Sequence, residues 1–198
     1  MTRSKKPASY EDIEALPVGW VGEIVEDELV ASPRPAMGHG YAASALGALL
    51  MAPFSWGQGG PGGWCIIDEP ELHFGRDVLV PDLAGWRCER LPRPFSAEEP
   101  FTTLAPDWVC EVLSPSTATF DRERKLPRYH REGVAHVWLI EPLAHRLTVF
   151  RRGTSRWQRM KTHVGARKIR AEPFDAVTLE LKRLWLPGLS EERGASIR

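Results

Sequence analysis

Apolar and polar positions alternate in short blocks along most of the chain, and a few stretches repeat with helical spacing instead. Ser9-Tyr10-Glu11-Asp12 has the form of a capping box and opens a short helix that Pro17 closes. Trp20–Val25 and Leu29–Ser32 flank the acidic turn Glu26-Asp27-Glu28, a pattern that predicts a hairpin. From His39 to Met51 the residues Ala42, Leu46, Leu49 and Leu50 form one apolar stripe, so a helix is expected there, ended by Pro53. The glycine-rich run Gly57–Gly63 lacks the GKS or GKT ending of a nucleotide-binding loop and reads as a connection. Strands are expected at Trp64–Phe74, with Pro70 marking a bulge or an edge, and at Asp77–Trp86. After a Pro-rich excursion, Leu91–Pro106, comes the short apolar strand Trp108–Leu113. A helix then runs from about Asp121 to Glu132 and stops at Gly133, followed by a strand at Ala135–Ile140. The alternating stretches Leu147–Arg152, Arg156–His163 and Ala176–Leu181 predict further strands. The central order is helix, strand, strand, strand, helix, strand, which defines a mixed α/β fold. The second helix joins two strands by a crossover, so those two should run parallel.

The 198 residues fit one domain, expected over residues 9–190, with a frayed leader at 1–8 and a polar tail at 191–198. Hydrophobic residues at 42%, with eight Trp, are enough to build a substantial core and exclude a disordered chain. No run of 18 apolar residues occurs, and the polar start leads into Tyr10-Glu11-Asp12. A membrane span and a secretory signal are therefore not expected, and a cytoplasmic location is. Cys65, Cys88 and Cys110 form no CxxC pair, and the His spacing gives no zinc motif. Charge changes the picture more. The chain is neutral, yet residues 1–100 hold 8 Lys and Arg against 15 Asp and Glu, whereas residues 101–198 hold 18 against 11. The acidic half suits a cation site and the basic half suits a polyanion, unless the two simply pack together and cancel.

Glu111 is the residue that local patterning least explains. Strand alternation sets it on one face with Val109 and Leu113 inside an apolar run. Burying it there costs several kcal/mol unless it is paired, protonated or bound to metal. Asp82 follows Pro81 inside a segment that otherwise reads as buried strand. A bend there, bringing Asp82 against Glu111, is the geometry a hard divalent cation requires. On the second helix, Asp121, Lys125 and Tyr129 follow one another at four-residue spacing and share a face. Lys125 is then either one half of a solvated ion pair with Asp121 or a cation aimed at the site. Pro127 conflicts with this helix: a start near Asp121 buries the proline too deep, and a start at Leu126 leaves Lys125 outside it.

Taken in order, Pro81-Asp82, Glu111-Val112-Leu113-Ser114-Pro115-Ser116, Asp121-Arg122, Lys125, Tyr129, Gly133-Val134 and Trp138-Leu139-Ile140-Glu141-Pro142 resemble the Uma family of restriction-endonuclease-like proteins, within the PD-(D/E)XK nuclease superfamily. The opening Glu23–Val30, Ser32-Pro33 and His39 is similar to that family as well, so the likeness runs from about Tyr10 to Trp185. The resemblance implies a restriction-endonuclease-like core of order α-β-β-β-α-β, with a central mixed sheet flanked by helices and an added N-terminal hairpin and C-terminal strands. It implies Asp82 and Glu111 as metal-binding acids, the backbone carbonyl of Val112 as a further ligand, and Mg²⁺ (or Mn²⁺) as cofactor. DNA is the implied partner and phosphodiester hydrolysis the implied reaction, with a homodimer one way to cut both strands. The motif calls for Lys two residues after the Glu, where this chain has Leu113; Lys125 is the candidate replacement. Glu23, His39 and Tyr129 are candidate supporting residues. The alternative is a catalytically inactive nuclease-fold module that binds nucleic acid or a protein.

Overall fold

The computed structural model describes residues 6–188. Its largest element is a six-stranded mixed sheet ordered β11-β10-β9-β8-β6-β3. The strands are β3 (Trp64–Asp68), β6 (Leu83–Arg87), β8 (Trp108–Val112), β9 (His136–Glu141), β10 (Arg146–Arg152) and β11 (Trp157–Val164). As the crossover argument requires, β8 and β9 pair in parallel, and every other pair in this sheet is antiparallel. A second, five-stranded sheet holds the predicted hairpin, β1 (Val21–Val25) and β2 (Glu28–Ser32), beside β5 (Asp77–Leu79), β4 (Glu71–Phe74) and β7 (Phe101–Thr102). Of the third predicted tail strand only β13 (Leu179–Glu180) forms, paired with β12 (Lys168–Ile169). The expected tail at 191–198 and residues 1–5 of the leader lie outside the described residues. Ala8, the last leader residue, is tied down by a 2.9 Å bond from its N–H to the carbonyl of Asp27.

Two expected strands divide where prolines stand. The stretch Trp64–Phe74 breaks at Glu69-Pro70, with Glu69 at φ 45°, and Asp77–Trp86 breaks at Val80-Pro81-Asp82. Each break carries the chain from one sheet to the other. Proline has no N–H to continue a ladder, so the strand turns a corner there instead of forming a bulge. The second corner places Asp82 at the entrance of β6.

The helices show a related accommodation. Helix α1 (Tyr10–Glu14) keeps its capping box, with Ser9 and Asp12 bonded to each other. Helix α2 (Met37–Leu50) does not end at Pro53; it widens into a π-helical turn at Met51–Ser55 that contains the proline. Likewise α3 (Ala118–Phe120) runs through a π-helical turn, Asp121–Lys125, into α4 (Leu126–Glu132). In a regular α-helix the ring of Pro127 collides with the carbonyl of Glu123. The wider turn absorbs that collision and leaves Pro127 in the first turn of α4, where no N–H is needed. Lys125 is therefore helical and Pro127 is unstrained, which resolves the conflict seen in the sequence. Gly133 ends α4 at φ 88°.

The six-stranded sheet buries both faces of its central strands. On one side Leu46, Leu50 and Phe54 pack on Trp64, Trp108 and Trp138, with Phe174 in edge contact with the last two. On the other side α4 and the second sheet bury Val109, Leu113, Tyr129, Val137 and Leu139. That second face is the one Glu111 occupies. No helix among the described residues is long and apolar enough to cross a membrane.

Candidate active site

The register of β6 and β8 pairs Leu83 with Cys110 and, one step further, sets Asp82 opposite Glu111. The structure closes that corner with a hydrogen bond: the N–H of Val112 donates to Asp82 Oδ2 at 2.6 Å. His39, near the start of α2, holds the other oxygen, with Nε2 2.5 Å from Asp82 Oδ1. Both carboxylate oxygens of Asp82 are thus fixed, one by backbone and one by an imidazole.

Glu111 is 3% exposed, and its charge is met from the helix above. Lys125 Nζ lies 2.9 Å from Glu111 Oε1, and the Tyr129 hydroxyl donates to the same oxygen at 2.6 Å. Lys125, only 2% exposed, also lies 2.8 Å from Glu23 Oε1 and 3.9 Å from Asp121 Oδ1, and donates to the carbonyl of Val80 at 3.1 Å. It is not the solvated partner of Asp121 but the hub of a buried cluster. Glu23, on β1, completes the clamp by accepting the N–H of Val80 at 2.8 Å. Arg124 fastens this helix to the hairpin through Glu26, Glu28 and the carbonyl of Val25.

All six side chains singled out in the sequence (Glu23, His39, Asp82, Glu111, Lys125 and Tyr129) therefore meet at one end of the large sheet. The backbone of Val112 is there too. Asp121 belongs with them and was noted in the sequence only as a neighbour of Lys125 on the helix; their i,i+4 spacing was the signal for it. Leu113 is buried among apolar residues on the Glu111 face, so the motif position itself supplies no cation.

Four carboxylates, those of Glu23, Asp82, Glu111 and Asp121, face one ammonium and one imidazole. The excess negative charge shows in the acidities. Burial pushes the Glu111 carboxyl well above its ordinary value; Lys125 opposes the rise, while Asp121, Asp82 and Glu23 add to it. Burial likewise pushes Asp121 up to about 6 against the pull of Lys125. Burial works against charge on Lys125, but Glu111, Glu23 and Asp121 more than offset it and hold the ammonium protonated. Burial also disfavours the His39 imidazolium, but the bond and charge of Asp82, aided by Asp121 and Glu69, outweigh it and raise the pKa.

These residues fit a hard divalent cation. Asp82 and Glu111 offer oxygen donors, and Glu111 Oε2 carries no hydrogen bond among the described residues. The Asp82 side chain is 14% exposed, so the cluster has an opening to solvent. Among the described residues no three His, Cys, Asp or Glu side chains form a ready ligand cage. Two carboxylates and several waters are what Mg²⁺ takes.

Tyr129 is the one neutral side-chain donor to Glu111 among the described residues. Tyr129→Phe should cost about 2 kcal/mol, because it strips a bond from a buried charged acceptor. For a chain of this size, that is a melting temperature lower by roughly 4–8 °C, measured by circular dichroism. An unchanged melting temperature would show that the bond contributes nothing.

A mixed sheet with a carboxylate from each of two neighbouring strands, and a buried lysine delivered by the crossover helix, defines an α/β protein of the nuclease-like fold class. The chain belongs to the Uma2 family, described as "Putative restriction endonuclease", whose model matches residues 4–182. Among solved structures it is similar to a protein from Anabaena variabilis ATCC 29413 described as a "putative nuclease belonging to DUF820". The TM-score is 0.71 at 21% sequence identity, over 90% of this chain and 98% of that one. At that identity the likeness shows a shared fold. No curated protein matches the chain.

Proposed function

We propose that this protein is a Mg²⁺-dependent nuclease that hydrolyses phosphodiester bonds in DNA, with Asp82, Glu111 and Lys125 as its catalytic residues. The observation that carries this reading is the placement of Lys125: its ammonium reaches the Glu111 carboxylate from the helix and supplies the charge that Leu113 lacks. Asp82 and Glu111, with the carbonyl of Val112, would hold the metal ion (Mg²⁺, or Mn²⁺ in its place). Such an ion polarises a phosphoryl oxygen and lowers the pKa of a bound water.

The chain's own groups have distinct tasks. His39 and the N–H of Val112 fix both oxygens of Asp82, so its orientation needs no reorganisation during the reaction. Tyr129 and Lys125 hold Glu111 Oε1, which leaves Oε2 as the oxygen that would be available to a metal ion. With its three protons committed to Glu111, Glu23 and the carbonyl of Val80, the Lys125 ammonium would act on charge developing at the phosphoryl group through its field and not by a direct hydrogen bond. Glu23 and the carbonyl of Val80 anchor that ammonium and are positioning groups.

The test is cleavage of supercoiled plasmid by the purified protein with Mg²⁺ or Mn²⁺, beside Asp82→Ala and Glu111→Ala. The wild type should nick or linearise the plasmid only with metal, and both variants should lose at least about 100-fold in rate. Wild-type protein that binds DNA but never cuts it would favour the inactive binding module.

A further inference from the structure

The sheet face that carries Glu111 does not end at the site. Register links Glu111 on β8 to Leu139 on β9, Leu139 to Thr148 on β10, and Thr148 to Thr162 on β11. Paired residues project to the same side, so these four form one row across the sheet. At about 4.8 Å per strand the row runs about 14 Å from the carboxylate to the edge strand. Helix α4 covers its first part; over β10 and β11 the face lies open as a cleft of about 740 Å³.

The lining of this cleft is basic. Arg122, three residues before Lys125, stands at its inner end and Arg146 beside it, and both pair with Glu141. Arg159 on β11 lines the outer part: it pairs with Phe150, which pairs with Val137 on the Glu111 face, and it is exposed with no ion pair or hydrogen bond among the described residues. Three cations against one carboxylate leave a net positive groove beside a site with excess negative charge. Phe150 adds an apolar wall.

We propose that this cleft is the track for the sugar–phosphate backbone of the DNA strand flanking the scissile bond. Arg159 is the phosphate contact furthest from the metal-binding acids, and Arg122 and Arg146 are the nearer ones. Charge complementarity selects the occupant: a polyanion is what one unpartnered cation and two half-neutralised ones attract, and the stretch open over β10 and β11 admits neighbouring phosphates of one strand. The inference rests on the nuclease reading for which strand lies there, but its test is binding without catalysis.

Fluorescence anisotropy with a labelled DNA duplex of about 20 base pairs, in EDTA, compares wild type with Arg159→Ala and with Arg93→Ala. Arg93 is an exposed arginine of the Pro-rich excursion, outside the cleft. Arg159→Ala should bind about fivefold more weakly at ~0.1 M salt, with a salt slope shallower by about one. Its melting temperature should match wild type, since the side chain has no partner to lose among the described residues. Unchanged affinity and slope in Arg159→Ala, or an equal loss in Arg93→Ala, would overturn the track. Binding with the expected signature by a protein that cuts no plasmid would overturn the nuclease reading and leave the track standing.

Discussion

Lys125→Met is expected to lower the melting temperature by roughly 10 °C and to slow DNA cleavage by at least about 100-fold. The stability effect follows from the partners left behind. Glu23 and Glu111 lie within 3 Å of the ammonium and Asp121 within 4 Å, and removing the cation leaves two buried carboxylates and the half-buried Glu23 facing one another. Breaking a buried pair from one side costs about 3–5 kcal/mol. Protonation of Glu111, already pushed well upward by burial, limits the damage and keeps the protein folded at low temperature. Cleavage is therefore read per folded molecule at about 20 °C. The same substitution has a third consequence that a purely structural lysine shares only if the carboxylates bind metal. With the ammonium gone, Mg²⁺ has no like charge to oppose it, so the melting-temperature gain on adding Mg²⁺ should be larger than in wild type. Lys125→Met protein that cuts at the wild-type rate would remove Lys125 from the chemistry.

Asp121→Asn should do the opposite to stability, raising it by about 3 kcal/mol at pH 8. Burial lifts the folded-state pKa of Asp121 to about 6, whereas an unfolded chain has it near 4. The folded protein therefore holds this proton more tightly than the unfolded one. Stability contributed by the protonated group is intact below pH 4, falls as pH rises from about 4 to 6, and is absent above. Two units correspond to about 3 kcal/mol, or roughly 6–12 °C in melting temperature for a chain of this size. Glu111 pushes the wild-type profile in the same direction. Asparagine carries no charge to bury, so the variant should melt higher at pH 8, match wild type below pH 4, and show a flatter profile between. Saturating Mg²⁺ should narrow its advantage, since a divalent cation relieves the same repulsion. A variant that melts lower than wild type at pH 8 would mean that Asp121 acts chiefly as a partner of Lys125.

Much of this site was legible in the sequence because its members break local rules. Glu111 interrupts an apolar strand, Asp82 follows a proline in a buried segment, and Lys125 sits four residues from both Asp121 and Tyr129. Each anomaly is local, and the structure brings all of them together. What patterning could not supply is which sheet a strand joins. Trp64–Phe74 and Asp77–Trp86 read as continuous extended chain, since alternation persists through Pro70 and Pro81 while the chain changes partners. The role of Glu23 was similarly hidden from local pattern, because its contact with Lys125 joins residues about a hundred positions apart. Pro127 announced a conflict whose solution, a single wider helical turn, lies outside the 3.6-residue periodicity used to find helices. The basic cleft draws Arg122, Arg146 and Arg159 from three separate elements that only the fold brings to one cleft.

Asp82, at the mouth of β6, and Glu111 on the neighbouring β8 are proposed to hold one divalent cation between them. Anomalous diffraction from crystals soaked in millimolar Mn²⁺ would locate it. A single strong peak should lie between the two carboxylates, about 2.1 Å from an oxygen of each, with Lys125 still on Glu111 Oε1. A well-ordered crystal with both side chains in place and no manganese between them, while the same protein cuts DNA in Mn²⁺, would contradict the account.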